Sequence, residues 1–402
     1  MASSRMTRPR VLAVCSALFS CAISVDLTLT GPVGYTLAID KALATLPFAL
    51  ITVATAVFSI LASFVIERWG QRAGFIIGGL TCIAGGVVSA WAIAHHDFLV
   101  FCAGTALVGV FQAFAAFYRL AAADAVPAAQ QPRAIATVLT GGVVAAVCGP
   151  AIAAGSRDML TAYPFAGAYL VVALFGLLTV LVLAFVYRDA PRSAPLAQGA
   201  ADLPARPLAE TLRQPIFRAA LANSAIGNAT MMFMMTATPI AAVACSHSID
   251  QGAQIIEWHL VGMFAPSFFS GWLIQRFGLG RMSAVGIAMG ALAAITALAS
   301  GSLTAFYLAL LLLGVGWNFM FVSGSAMLVA SYRPAERART QAVCQFATAF
   351  VSALAGLAAG QVMDRWGWHA VSLATLPALA LALLITLGWW RHARRAARLA
   401  PV

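Results

Sequence analysis

Residues 43–72 read LATLPFALITVATAVFSILASFVIERWGQR. The stretch 43–65 carries no charge, and about 20 apolar residues suffice for a helix to cross the hydrocarbon core of a bilayer. It runs into an acid, a base, an aromatic ring and a glycine, Glu67-Arg68-Trp69-Gly70, with Arg72 just beyond. A long apolar run that stops at a charged turn belongs at a membrane surface. The turn also has an echo: Gln275-Arg276-Phe277-Gly278 follows another apolar run 208 residues later. Leu107-Val108-Gly109 is matched in the same way by Leu312-Leu313-Gly314, 205 residues on. A near-constant offset marks a duplicated unit, and carriers built from repeats hold their substrate path where the repeats meet.

Working outward, the composition agrees. Hydrophobic residues form 62% of the 402 positions, charged residues 9%, and mean hydropathy is +0.90. A soluble domain carries about 25% charged residues. Twelve apolar stretches are long enough to span: 11–35, 43–65, 74–94, 98–121, 134–155, 165–187, 217–245, 254–275, 282–300, 303–330, 341–362 and 370–390. They are numbered one to twelve below. The runs are continuous rather than alternating, which excludes a β-barrel. The expected fold is an all-α membrane protein of two pseudo-symmetric six-helix bundles, 1–187 and 215–402. A flexible linker, 188–214, rich in Pro, Ala and Arg, joins them.

The net charge of +11 comes from bases scattered through short loops, without the clustered patch that nucleic-acid binding requires. With the N-terminus inside, 20 of the 24 basic residues fall on the inner side; only Lys41, Arg157 and Arg365 lie outside, and Arg119 sits within span four. That asymmetry places both termini in the cytoplasm of a bacterial inner membrane. The basic start before span one resembles a signal peptide but lacks a small-residue cleavage site, so it is read as the flank of the first span. Seven cysteines show no CxxC spacing, which implies neither a disulfide framework nor a zinc site.

Over its whole length the chain resembles the major facilitator superfamily. Ser63 to Arg72 partly matches that superfamily's signature between spans two and three, with Ser63, Glu67 and Gln71 departing from it. The resemblance implies a secondary transporter, not an enzyme, in which the acid Glu67 and bases such as Arg68 at a helix end pair across the halves and hold one state.

Side chains with lone pairs inside spans are the candidates for function. Span seven holds Met231-Met232-Phe233-Met234-Met235, in which Met231 and Met235 are one turn apart. Span eight repeats that spacing with His259 and Met263, and Cys245 lies near the outer end of span seven on about the face of Met231. A short loop joins these spans, which makes them antiparallel neighbours and sets the two pairs facing each other. Thioether, thiolate and imidazole together select soft metals, above all Cu(I), and a ladder of weak sites suits passage. Methionine also fills gaps in ordinary cores.

The residues Met231, Met235, Cys245, His259 and Met263 are similar to the paired motifs of the CcoA-type copper importers, a branch of the same superfamily. That resemblance implies import of copper for cytochrome oxidase assembly, with no permanently bound cofactor and a cytoplasmic copper acceptor as a possible partner. The expected oligomeric state is a monomer. Riboflavin transporters belong to the same branch. The alternative is therefore a carrier of a flat organic solute, supported by Asn223, Asn228, Trp317, Asn318, Phe319 and Phe321 in spans seven and ten and Phe111, Gln112, Phe117 and Tyr118 in span four. A third reading, a haem- or copper-holding redox enzyme, fails for want of paired intramembrane histidines. Asp26, Arg119 and Asp124 are candidates for an intramembrane charge pair or a proton relay.

Overall fold

The computed structural model describes residues 7–40, 43, 46–188 and 205–399. Arg5, Lys41, Arg192 and residues 189–204 of the expected linker lie outside them. In hydrocarbon each backbone N–H and C=O must be bonded within its own segment, and the described residues form helices joined by turns, with no strand among them.

Ten helices among the described residues are long and apolar enough to cross a membrane. They cover eleven of the twelve expected spans, because spans eleven and twelve share one helix and span eight is broken into two shorter ones. Span eight is two helices, Ile249–Phe264 and Ser267–Phe277. Pro266 has no N–H to give to Gly262, and three-residue turns bridge the gap: Phe268 N–H donates to the Ala265 carbonyl and Phe269 N–H to that of Pro266. Spans eleven and twelve run together in Arg337–Leu399, interrupted at Gly367 with φ 72° and ψ −176°.

The repeat seen in sequence has a backbone cause. Gly70 (φ 92°, ψ 165°) and Gly278 (φ 86°, ψ 156°) open spans three and nine in the same conformation. Only glycine, lacking Cβ, enters that region without strain. The base, aromatic and glycine order, preceded by Glu67 at one place and Gln275 at the other, therefore turns the chain at both. Asp364-Arg365-Trp366-Gly367 writes it a third time, at the break between spans eleven and twelve.

The chain divides into two compact units. In the first, span one packs on spans five and six, span four on spans two and three, and span three on span six. Arg72 closes this unit at one end: its guanidinium donates to the carbonyls of Leu183 and Ala184, the last turn of span six, where a cation also meets the negative end of the helix dipole. Gln71, a departure from the superfamily signature, accepts a 2.7 Å bond from the Tyr187 hydroxyl.

In the second unit, span seven packs on spans ten, eleven and twelve, span nine on span ten, and span eight chiefly on span ten. The segment Val126–Ala136, expected in the first half, groups with this unit. Gln275 Nε2 donates to the Ala129 carbonyl at 2.6 Å, and Gly271 leaves room for the backbone of Arg133.

Residues 205–214, expected as free linker, are also built into the second unit. Arg206 grips Glu336 with Nε at 2.9 Å, an Nη at 2.7 Å and its backbone N–H at 2.7 Å, and Arg339 donates to the Arg206 carbonyl. Glu336 is buried, and these donors, Arg206 first, hold its carboxyl down at about 2 from an ordinary 4.5.

Candidate transport site

Span eight reaches its place through a capping box. Ser248 Oγ accepts from Gln251 N–H, and the Gln251 side chain accepts from Ser248 N–H. The helix then runs along span ten with almost nothing between the two backbones. A methyl group on Gly314 would meet the His259 carbonyl at 2.6 Å and the Met263 nitrogen at 2.7 Å. That closeness turns His259 toward span ten. Its ring is fully buried, with Nδ1 2.7 Å from the Leu310 carbonyl. A carbonyl only accepts, so Nδ1 carries the proton, and in the neutral ring Nε2 presents a lone pair. That Nε2 is buried with no hydrogen-bond partner.

Met263, one turn on, is buried, and its carbonyl takes a 2.7 Å bond from Asn318 Nδ2. Met231 is buried and Met235 half-buried on span seven. The side chains between them serve packing: Met234 lies fully buried in a cluster with Ile255, Phe306 and Trp368, and Met232 reaches within 3.9 Å of the space beside Gly356 on span eleven. Spans seven and eight touch only lightly, because each has span ten as a larger neighbour. Adjacency in the chain therefore does not make spans seven and eight each other's main packing partner.

Cys245, half-buried, ends span seven and points its sulfur at Gly301. His247 donates from Nε2 to the carbonyl of that same glycine at 2.9 Å and sets its ring edge-on to Phe306. Among the described residues no three His, Cys, Asp or Glu side chains converge on a metal-sized site. A copper path would rest on the thioethers and His259.

The aromatic and amide residues fall into two groups. Asn223 is occupied by packing, and Asn318 is held through its Nδ2 while its Oδ1 is buried with no hydrogen-bond partner. Asn223 donates to the Ala219 carbonyl and to Thr386 Oγ1 and accepts from Ser283. Asn318 donates to the Met263 carbonyl and to Ser267 Oγ. The other group converges. Trp317 donates from Nε1 to Asn228 Oδ1 at 3.2 Å, stacks on Phe321 with centroids 4.6 Å apart at 17°, and meets Phe264 edge-on at 6.1 Å. Spans seven, eight and ten thus bring three rings and an amide to one place, with Trp317 and Phe321 buried.

In the first unit, Gln112 Oε1 accepts from Thr55 at 3.1 Å. Phe111 packs edge-on against Phe19, and Tyr118 edge-on against Phe75; Phe117 is buried. Asp26 is buried and is brought to Thr30 rather than to Arg119. Arg119 donates to the Ala116 carbonyl, and Asp124 closes the short helix Tyr118–Asp124. Glu67 and Arg68 are exposed at the end of span two.

These features define a multi-pass membrane protein of two helical units, each carrying intramembrane polar side chains. Residues 12–244 and 229–401 both match the family model of the Major Facilitator Superfamily, and the chain belongs to that family. It is a secondary transporter and not an enzyme. It is 37% identical to the riboflavin transporter RfnT of Brucella anthropi over 374 residues, 93% of each chain. It is 29% identical to the uncharacterized MFS-type transporter YdeG of Bacillus subtilis, covering 88% of this chain and 84% of that one. Among solved structures it is similar to the MFS transporter FucP in its outward conformation (TM-score 0.74, 14% identity, 94% of this chain and 98% of that one). A bacterial homologue of the iron transporter ferroportin is also similar (TM-score 0.72, 14% identity, 96% and 99%). The relative most alike of those named here is a riboflavin transporter and not a copper importer, which favours the organic-solute reading.

Proposed function

We propose that this protein imports riboflavin or a closely similar flat heterocycle across the bacterial cytoplasmic membrane, as a monomer with both termini inside and no resident cofactor. The supporting observation is the cluster of Trp317, Phe321, Phe264 and Asn228, read beside the 37% identity to a riboflavin transporter. Rings supply stacking area at small entropic cost, and the amide supplies a donor and an acceptor for the edge of a fused ring system. A bacterium unable to make riboflavin and lacking its own uptake system tests the reading directly. Expression of this chain should restore growth at limiting riboflavin, and Trp317→Ala, present at equal membrane level, should not. Failure of the wild type to rescue, once shown inserted, would sink it.

A second reading has one specific observation in its favour. His259 holds Nε2 buried and unbonded, with Nδ1–H fixed on a carbonyl, the arrangement that orients a metal-ligating imidazole. Met263 lies one turn away. Copper import through Met231, Met235, Cys245, His259 and Met263, handing the ion to a cytoplasmic acceptor, predicts copper uptake that His259→Ala abolishes.

A further inference from the structure

Spans nine and twelve meet at one end of the second unit. A methyl on Gly280, near the start of span nine, would meet the Trp390 ring at 2.7 Å. Trp390 lies near the end of span twelve, and the guanidinium of Arg394, one turn on, sits 5.4 Å from its centroid. Arg391, Arg394 and Arg395 follow at the i, i+3, i+4 spacing of one helix face, and Arg281 is next to Gly280. All four arginines are exposed, and among the described residues none has an ion pair or a hydrogen bond. No Asp or Glu occurs in 276–300 or in 366–402.

The first unit shows the same end with its charge bonded internally. Arg72, 208 residues before Gly280, gives its guanidinium to the carbonyls of Leu183 and Ala184. Leu183, Val186 and Tyr187 stand 208 residues before Arg391, Arg394 and Arg395. The second unit thus exchanges one bonded arginine for four unbonded ones. Helix dipoles do not account for the exchange. They favour bases within about one turn of Leu399, which leaves Arg391 outside, and they disfavour Arg281, the third residue of the helix Leu279–Ala299. Four like charges on one patch repel one another, and an anion placed among them meets no competing acid. One to three turns deeper in the spans, Val285, Leu384 and Leu381 are exposed. An acyl chain gains from covering them and a soluble anion does not.

We infer that the ends of spans nine and twelve bind an anionic phospholipid, its headgroup phosphate held by Arg281, Arg391, Arg394 and Arg395. Its chains lie along Val285, Leu384 and Leu381. Basic pockets between membrane helices take such headgroups, and each base near the surface is worth roughly fivefold in binding. Trp389 and Trp390, both half-buried, set the depth, as aromatic rings do at a headgroup layer. The site is independent of the cargo and needs only that the chain spans a bilayer.

The test uses the full chain in nanodiscs of phosphatidylcholine. Into these is mixed either phosphatidylglycerol or further phosphatidylcholine, brominated near the head of its chains, because bromine quenches tryptophan fluorescence on contact. At equal mole fraction brominated phosphatidylglycerol should quench several-fold more effectively, and Trp389→Phe with Trp390→Phe should remove most of that excess. The variant combining Arg281→Gln, Arg391→Gln, Arg394→Gln and Arg395→Gln should abolish it. Should that variant fail to insert, Arg394→Gln alone should raise the mole fraction for half-maximal quenching roughly fivefold. Arg10→Gln with Arg213→Gln, bases elsewhere in the chain, should leave the excess unchanged. Equal quenching by the two lipids overturns the site. So does an excess that survives the arginine or tryptophan variants, or one that the control pair removes equally. Inorganic phosphate should compete no better than chloride at the same ionic strength; stronger competition makes the occupant a soluble phosphate and overturns the lipid assignment.

Discussion

The seam between spans two and four and the seam between spans eight and ten are two editions of one packing. In the first, a methyl on Gly109 would meet the Ile51 carbonyl at 2.4 Å; in the second, a methyl on Gly314 would meet the His259 carbonyl at 2.6 Å. Ile51 and His259 are 208 residues apart, as are Thr55 and Met263. Where the first seam reads Ile-x-x-x-Thr, the second reads His-x-x-x-Met. In the first, the Thr55 hydroxyl has the carbonyls of Ile51 and Gly109 and the Gln112 amide oxygen within 3.1 Å, so its polar atoms serve the helix pair. In the second, His259 leaves a nitrogen unbonded, and Trp317, 205 residues after Gln112, reaches across to Asn228 on span seven. The close seam is kept in both copies, while the unbonded imidazole nitrogen and the tryptophan bonded to span seven belong to the second.

The sharpest way to break this contrast is to remove the side chain that the second seam alone carries. Trp317→Ala should abolish riboflavin uptake and, as a large core truncation, destabilise the unit by about 3–5 kcal/mol; uptake assays and thermal unfolding in detergent read the two effects separately. Next come the glycines. Gly109→Ala and Gly314→Ala should each cost roughly 1–3 kcal/mol of overpacking, and similar losses of thermal stability in both would show that the seams are mechanically equivalent.

Replacing His259 and Met263 by Ile and Thr rewrites the second seam as the first. Riboflavin uptake should persist in that double variant, with thermal stability lowered because Met263→Thr shortens a buried side chain and buries a hydroxyl. Loss of riboflavin uptake at equal membrane level would place the pair in the solute path.

The smallest effect concerns Glu336. Its carboxyl titrates lower in the folded chain than in the unfolded one, so its stabilising contribution is complete above pH 4.5 and is lost as pH falls toward 2. Unfolding temperature measured down that range should fall less steeply in Glu336→Gln than in the wild type.

Much of the fold is legible in the sequence, because hydropathy and charge asymmetry are properties of segments and need no tertiary knowledge. The duplicated turn is legible too, since Gly70 and Gly278 mark a backbone conformation few other residues adopt. The direction of a side chain is less accessible. Spacing of four places His259 and Met263 on one face of span eight, but not which neighbour that face meets. The loop to span seven is short, yet span ten provides the larger packing surface. Asn223 looks like a solute contact until its bonds to Thr386 and Ser283 are seen.

The account turns on which cargo the second seam serves. The direct measurement offers labelled riboflavin and labelled Cu(I) separately to vesicles containing the wild type, Trp317→Ala or His259→Ala. The account predicts riboflavin uptake by the wild type and by His259→Ala, none by Trp317→Ala, and no copper uptake by any of the three. Copper uptake by the wild type that His259→Ala removes, with no riboflavin uptake, would contradict it.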